Sequence, residues 1–116
     1  MVEIKIERKL IHKTLAAGRW SELSLFEQLG NIGSEVGRAR KTQGKDEKLF
    51  WGAVDRALEL FDLTLEDRRW NGRHQEIARA REVFCDAVYG GREYQSSLGA
   101  LESYFMSFAL ATRQNL

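Results

Sequence analysis

At 116 residues, with 43% apolar and 30% charged residues, the chain is sized for one domain with one core and is too apolar to stay disordered. Its 18 basic and 17 acidic residues leave a net charge of +1, so the whole molecule exerts no long-range pull on nucleic acid or an anionic membrane, and any basic patch must be local. A single cysteine, Cys85, excludes an internal disulfide framework and a Cys/His zinc site; the most apolar stretch, residues 104–111, is far short of the ~20 residues of a membrane span; and residues 1–7 are too charged for the core of a secretory signal. These features imply a cytoplasmic protein with no cofactor and no membrane partner.

Residues 1–18 read as an N-terminal arm, alternating at Val2, Ile4 and Ile6 and passing into a short helix around Leu10, Ile11 and Leu15. Residues 19–116 read as one four-helix domain, and the absence of proline leaves long helices uninterrupted. The first helix is predicted at about residues 21–41. Ser21 and Ser24 are candidate N-caps, and Ser24 with Glu27 fits a capping box. Leu25, Leu29, Ile32, Val36 and Ala39 fall on one face. Gly30, Gly33 and Gly37 lie beside that stripe, each at a cost of about 1 kcal/mol relative to alanine. Close approach of another helix is the compensation expected of a missing side chain.

A polar turn with Gly44 leads to Asp46, a cap for a second helix at about 47–66, whose apolar face is Phe50, Ala53, Val54, Ala57, Leu58, Phe61 and Leu65. Asp67 to Gly72 reads as a break, with Asn71 capping a third helix at about 72–89 that carries Ile77, Ala80, Phe84 and Val88 on one stripe. Gly90-Gly91 ends it. Ser96 or Ser97 caps a fourth helix to about residue 113, with Leu98, Leu101, Phe105, Phe108 and Thr112 toward the core and Tyr104, Met106 and Leu110 broadening the face. A helix this apolar is either central or covered by a second subunit. Short polar loops make an all-α, up-and-down four-helix bundle the predicted fold, and the glycine strip together with Phe105 and Phe108 makes a homodimer the expected assembly.

Polar chemistry concentrates in one place, where Arg68, Arg69, Arg73, Arg79 and Arg81 surround His74. Arginines at a helix start oppose the macrodipole and call for an acidic neighbour. Asp55, Glu59, Asp62 and Glu66 recur at helical spacing and form a carboxylate stripe able to answer them. Arg73, Arg79 and Arg81 do not share one face, and Glu76 and Glu82 are interspersed, so a salt-bridged surface is preferred over an RNA-binding one.

Three resemblances attach to these residues. Arg69 and His74, with four residues between them, resemble the Arg-x(4–6)-His motif of the HEPN superfamily, helical bundles that include metal-independent ribonucleases. By that resemblance Arg69 would hold the scissile phosphate and His74 would act as general acid or base. Trp70 and Asn71-Gly72 depart from the family pattern. Glu59-x-x-Asp62 and the segment Gly30 to Gly37 look like parts of the MazG-like nucleotide pyrophosphohydrolases, in which carboxylates would place magnesium, but Arg38 stands where the family has a second carboxylate after Glu35. Asn31-Ile32-Gly33-Ser34-Glu35-Val36, Arg56 to Thr64 and Arg81-Glu82-Val83-Phe84-Cys85-Asp86 are similar to small uncharacterised prokaryotic helical proteins over about residues 25–113, which implies fold and setting and no activity. The leading expectation is a non-enzymatic interaction module with a protein, nucleic-acid or toxin–antitoxin-type partner. A ribonuclease on Arg69 and His74 is the second, and a nucleotide hydrolase on Glu59 and Asp62 the third.

Overall fold

A computed structural model describes residues 18–90 and 97–114, with side chains described as far as Leu110 except that of Ala109; the expected arm at residues 1–17 lies outside the described residues, as does the Thr112 side chain. Four helices carry the fold: α1 (Leu25–Thr42), α2 (Glu47–Glu66), α3 (His74–Tyr89) and α4 (Leu98–Gln114). No strand occurs among the described residues. Each helix runs antiparallel to the next, and α1 closes the bundle by packing on both α2 and α4, the all-α up-and-down arrangement predicted from the sequence. No described helix is long and apolar enough to cross a membrane.

Local chemistry sets the helix ends. Ser24 accepts from the Glu27 amide at 3.1 Å while the Glu27 carboxylate accepts from the Ser24 amide at 2.9 Å, the expected capping box, which holds Glu27 below the ordinary carboxylate range. This cap starts α1 at Leu25, later than predicted, because the chain before it winds into a 3-10 turn, Trp20–Glu22. Asp46 caps α2 through the Leu49 amide, and Ser97 caps α4 through the Ala100 amide. Gly90 closes α3 in the left-handed region at φ 72°.

The break predicted at residues 67–72 does separate α2 from α3, and within it the chain winds into 3-10 turns over Arg68–Arg73 with a kink at Trp70. Asp67, not Asn71, caps them: the Asp67 carboxylate accepts from the Arg69 amide at 3.1 Å. Asn71 contributes only its carbonyl, which accepts from the His74 amide, and α3 begins with no side-chain cap.

The predicted stripes from Ile32 and Val36 on α1, Val54 and Phe61 on α2, Phe84 on α3 and Phe105 on α4 are fully buried and meet in one cluster. Phe61 lies at its centre, with ring centroids 5.9 Å from Phe84 and 5.8 Å from Phe105. These contacts link α2, α3 and α4 in distances at which aromatic rings attract beyond their area.

Candidate functional site

The arginine-rich segment folds into a structural latch. Gln28 is fully buried on the α1 core stripe, and its amide is shared among three segments. Its nitrogen donates to the Trp20 carbonyl at 2.8 Å and to Asp67 at 3.3 Å, and its oxygen accepts from the Trp70 indole at 2.9 Å. The Trp20 indole donates to Thr64 at the end of α2 (3.1 Å), and the Thr64 hydroxyl donates to the Leu60 carbonyl (2.8 Å). Arg69 completes the latch. Its guanidinium meets Asp67 at 2.6 to 3.2 Å, donates to the Leu23 carbonyl at 2.8 Å, and lies 4.4 Å over the Trp70 ring. The Arg69 hydrogen bonds hold the Asp67 carboxyl below its ordinary range despite burial, and the same bonds raise Arg69.

Arg69 is therefore committed to the fold, with its donor fork turned toward Asp67 and α1. His74 is the exposed first residue of α3. Arg68 is exposed. Arg73 finds its acidic neighbour three residues on, in Glu76 of the first turn of α3 at 3.2 Å, rather than in the α2 stripe. Arg81 is the arginine that reaches that stripe, pairing with Asp62 at 3.0 Å across α2 and α3. Glu59 is buried, while Asp55 and Glu66 are exposed. On α1, Glu35 is held by Arg56 at 3.2 Å and Arg38 at 3.1 Å. Among the described residues no group of three or more His, Cys, Asp or Glu side chains converges on a point that a metal ion could occupy. The Cys85 thiol, half-buried against α2, is pushed up chiefly by burial.

The glycine strip is used within one chain. A methyl group on Gly33 would stand 2.6 Å from Phe105 Cβ, and one on Gly37 would stand 2.5 Å from a Glu102 carboxylate oxygen. Both glycines are buried under α4, which is the close helix approach expected of them. Arg40 binds Glu102 at the same crossing. Gly30 is half-buried, and its carbonyl accepts from Ser34 at 3.3 Å. Asn31 is exposed and bonds back to the Glu27 carbonyl at 2.8 Å, so it is not the buried amide of a helix crossing. The strip thus removes one of the two grounds for a homodimer, leaving α4.

Among the described residues, the outward face of α4 differs from the others in carrying no charge. Exposed residues on α1 include Glu27, Arg38 and Lys41; on α2, Lys48, Asp55 and Glu66; on α3, Arg79 and Glu82. On α4 they are Ala100, Ser103, Tyr104, Met106, Ser107 and Leu110. The one charge in the first fourteen residues of α4, Glu102, points back to Gly37 and Arg40. Tyr104, Met106 and Leu110 are 40%, 43% and 50% exposed; among the described residues Leu49 and Trp51 of α2 and Tyr89 of α3 are also large apolar side chains left in solvent. Beside this face, α3 and α4 diverge around an apolar groove of about 280 Å³, lined by Glu76, Arg79, Ala80, Val83, Leu101 and Tyr104. The Tyr104 hydroxyl donates to Glu76 at 3.0 Å across its rim, and burial, reinforced by that bond, raises its pKa. Phe108 packs behind Tyr104 and reaches Phe26 of α1, with centroids 5.3 and 5.6 Å apart.

No family model matches the chain. No curated protein and no solved structure matches it either. The three resemblances accordingly rest on the residues quoted for them.

Two features of this geometry lie outside the predicted residues. Gln28 as the hub of the latch is foreshadowed by its position, since it follows Leu25 by three and precedes Ile32 by four and so sits on the apolar stripe. A polar residue on a core stripe needs buried partners. The convergence of Trp20 and Trp70 upon it joins residues about fifty positions apart and has no local signal.

Proposed function

We propose that this chain is a non-enzymatic interaction module that docks a partner on the outer face of α4. The supporting observation is the contrast between that face, uncharged and partly apolar, and the charged outer faces of α1, α2 and α3. Met106 and Leu110, one helical turn apart, put exposed apolar surface on this face, and exposed apolar surface marks contact sites. The face suits a protein better than RNA, because holding a nucleic-acid backbone takes clustered cations, and Arg69, Arg73 and Arg81 are each engaged by a carboxylate. A homodimer is the simplest assembly it could make, and a toxin–antitoxin-type partner would bind by the same chemistry.

Retrieval of tagged protein from the cells that make it tests the reading, with Met106→Glu as the comparison. Met106 is exposed, so the variant should unfold like the parent. The expected result is a partner, or a second copy, retained by the parent and lost by the variant. Equal recovery by both would move the contact away from α4.

A further inference from the structure

We infer that the segment before Gly18 turns back on the bundle and lays Leu10, Ile11 and Leu15 in the apolar groove between α3 and α4. The occupant is a segment of this same chain, outside the described residues. The groove is distinct from the outer face of α4 and does not depend on a partner docking there. Met106 follows Tyr104 by two residues and, at ~100° per residue, faces away from the groove.

The described chain begins close to the groove. The Trp20 indole bonds Thr64 at the end of α2, and the Leu23 carbonyl accepts from Arg69, seven residues before Glu76 at the groove's edge. From the first turn of α1, the rings of Phe26, Phe108 and Tyr104 make a continuous path to the groove's rim. Gly18 stands at φ 126°, a conformation that strains other residues, although a side chain there would meet nothing within 4 Å. Glycine is therefore needed for a sharp change of chain direction and not for close packing. The Ser21 hydroxyl fixes that turn by donating to the Gly18 carbonyl at 2.7 Å.

Length and chemistry agree. The α3 wall of the groove, Glu76 to Val83, spans about 10 Å, and Leu10 to Leu15 as a helix would span about 8 Å. At helical spacing Leu10, Ile11 and Leu15 share one side, while Lys9, His12 and Lys13 fall on the other. Docked this way, the apolar side meets Ala80, Val83 and Leu101, both surfaces leave water, and the cations stay solvated.

Paramagnetic relaxation on the full chain tests this. In a Cys85→Ala background, a nitroxide carried at Lys9→Cys, on the polar side of the segment, should erase the amide resonances of Ala80, Val83 and Leu101. It should spare those of Arg38 and Asp55, on the outward faces of α1 and α2. Ile11→Glu puts a carboxylate on the apolar side and should restore the lost resonances, with the bundle's circular dichroism unchanged. Loss centred on another face, or loss that survives Ile11→Glu, would overturn the docking. Mixing nitroxide-bearing chain with isotope-labelled chain that lacks the nitroxide separates the occupants. No loss in the mixture is expected; loss of the same resonances there would give the groove to another copy's segment and overturn docking within one chain.

Discussion

Gly33→Ala probes the α1–α4 crossing that places α4's apolar residues. The added methyl group would lie 2.6 Å from Phe105 Cβ, so the helices must part by roughly 0.8 Å to reach the 3.4 Å at which ordinary contact begins. Phe105 cannot yield by rotation, since its Cβ is fixed to the backbone and its ring is fully buried against Phe61. Overpacking of this sort costs about 1–3 kcal/mol. Against a fixed Cβ at 2.6 Å the cost falls in the upper part of that range, about 2–3 kcal/mol; alanine returns about 1 kcal/mol of helix propensity, leaving a net loss of roughly 1–2 kcal/mol. Gly37→Ala is the internal comparison. There the obstacle is the end of the Glu102 side chain, which can swing aside. What it gives up is a partly exposed ion pair with Arg40, worth at most about 1 kcal/mol, so the net change is expected within about 0.5 kcal/mol after the gain in propensity. Urea unfolding followed by circular dichroism reads both as shifts in midpoint at constant slope. A Gly33→Ala protein as stable as the parent, or Gly37→Ala the more damaging of the two, would refute the crossing.

Gln28→Leu should cost roughly 1–3 kcal/mol, because it removes the acceptor of the half-buried Trp70 indole N–H, while the Trp20 carbonyl keeps the Leu23 amide; an unchanged urea midpoint would mean that solvent satisfies the indole. Arg69→Ala should lower the urea midpoint with the loss of its bonds to Asp67 and the Leu23 carbonyl, whereas His74→Ala, exposed at the α3 start, should leave it nearly unchanged. The parent should leave mixed RNA intact in excess chelator, and cleavage that disappears in His74→Ala would restore the ribonuclease reading. Asp67 has a depressed folded pKa, so its contribution is present above the ordinary carboxylate range and is lost as pH falls through that folded value. Acid titration of stability should therefore be shallower in Asp67→Asn than in the parent, and parallel curves would contradict the latch.

The helical frame was legible because its signals are local. Periodic apolar stripes, the Ser24–Glu27 box, Asp46, Ser97 and Gly90 each act within a turn or two, and each does so in the structure. Gly33 and Gly37 also announced a close crossing, although the sequence could not say whether the other helix belonged to the same chain. The break at Arg68 to Arg73 is legible but its conformation is not, because that is set from a distance. Asp67 and Trp70 are drawn to Gln28, about forty residues earlier, and that pull winds the chain into a 3-10 helix where Asn71-Gly72 alone would suggest a loop. The same long-range bonding is why Arg69 reads as free in sequence and is engaged in three dimensions. The α4 face was visible as excess hydrophobicity, but which of its residues stay outside depended on which side α1 and α3 covered.

The most direct test of α4 as the contact face is an amide proton–nitrogen spectrum recorded across a dilution series. Self-association through α4 predicts that the resonances moving with concentration belong to Gly99, Ala100, Ser103, Met106, Ser107 and Leu110, while those of Arg69, His74 and Trp51 stay fixed. Movement centred on the Arg68–Arg73 segment, or on Trp51 and Tyr89 at the other end of the bundle, would contradict it.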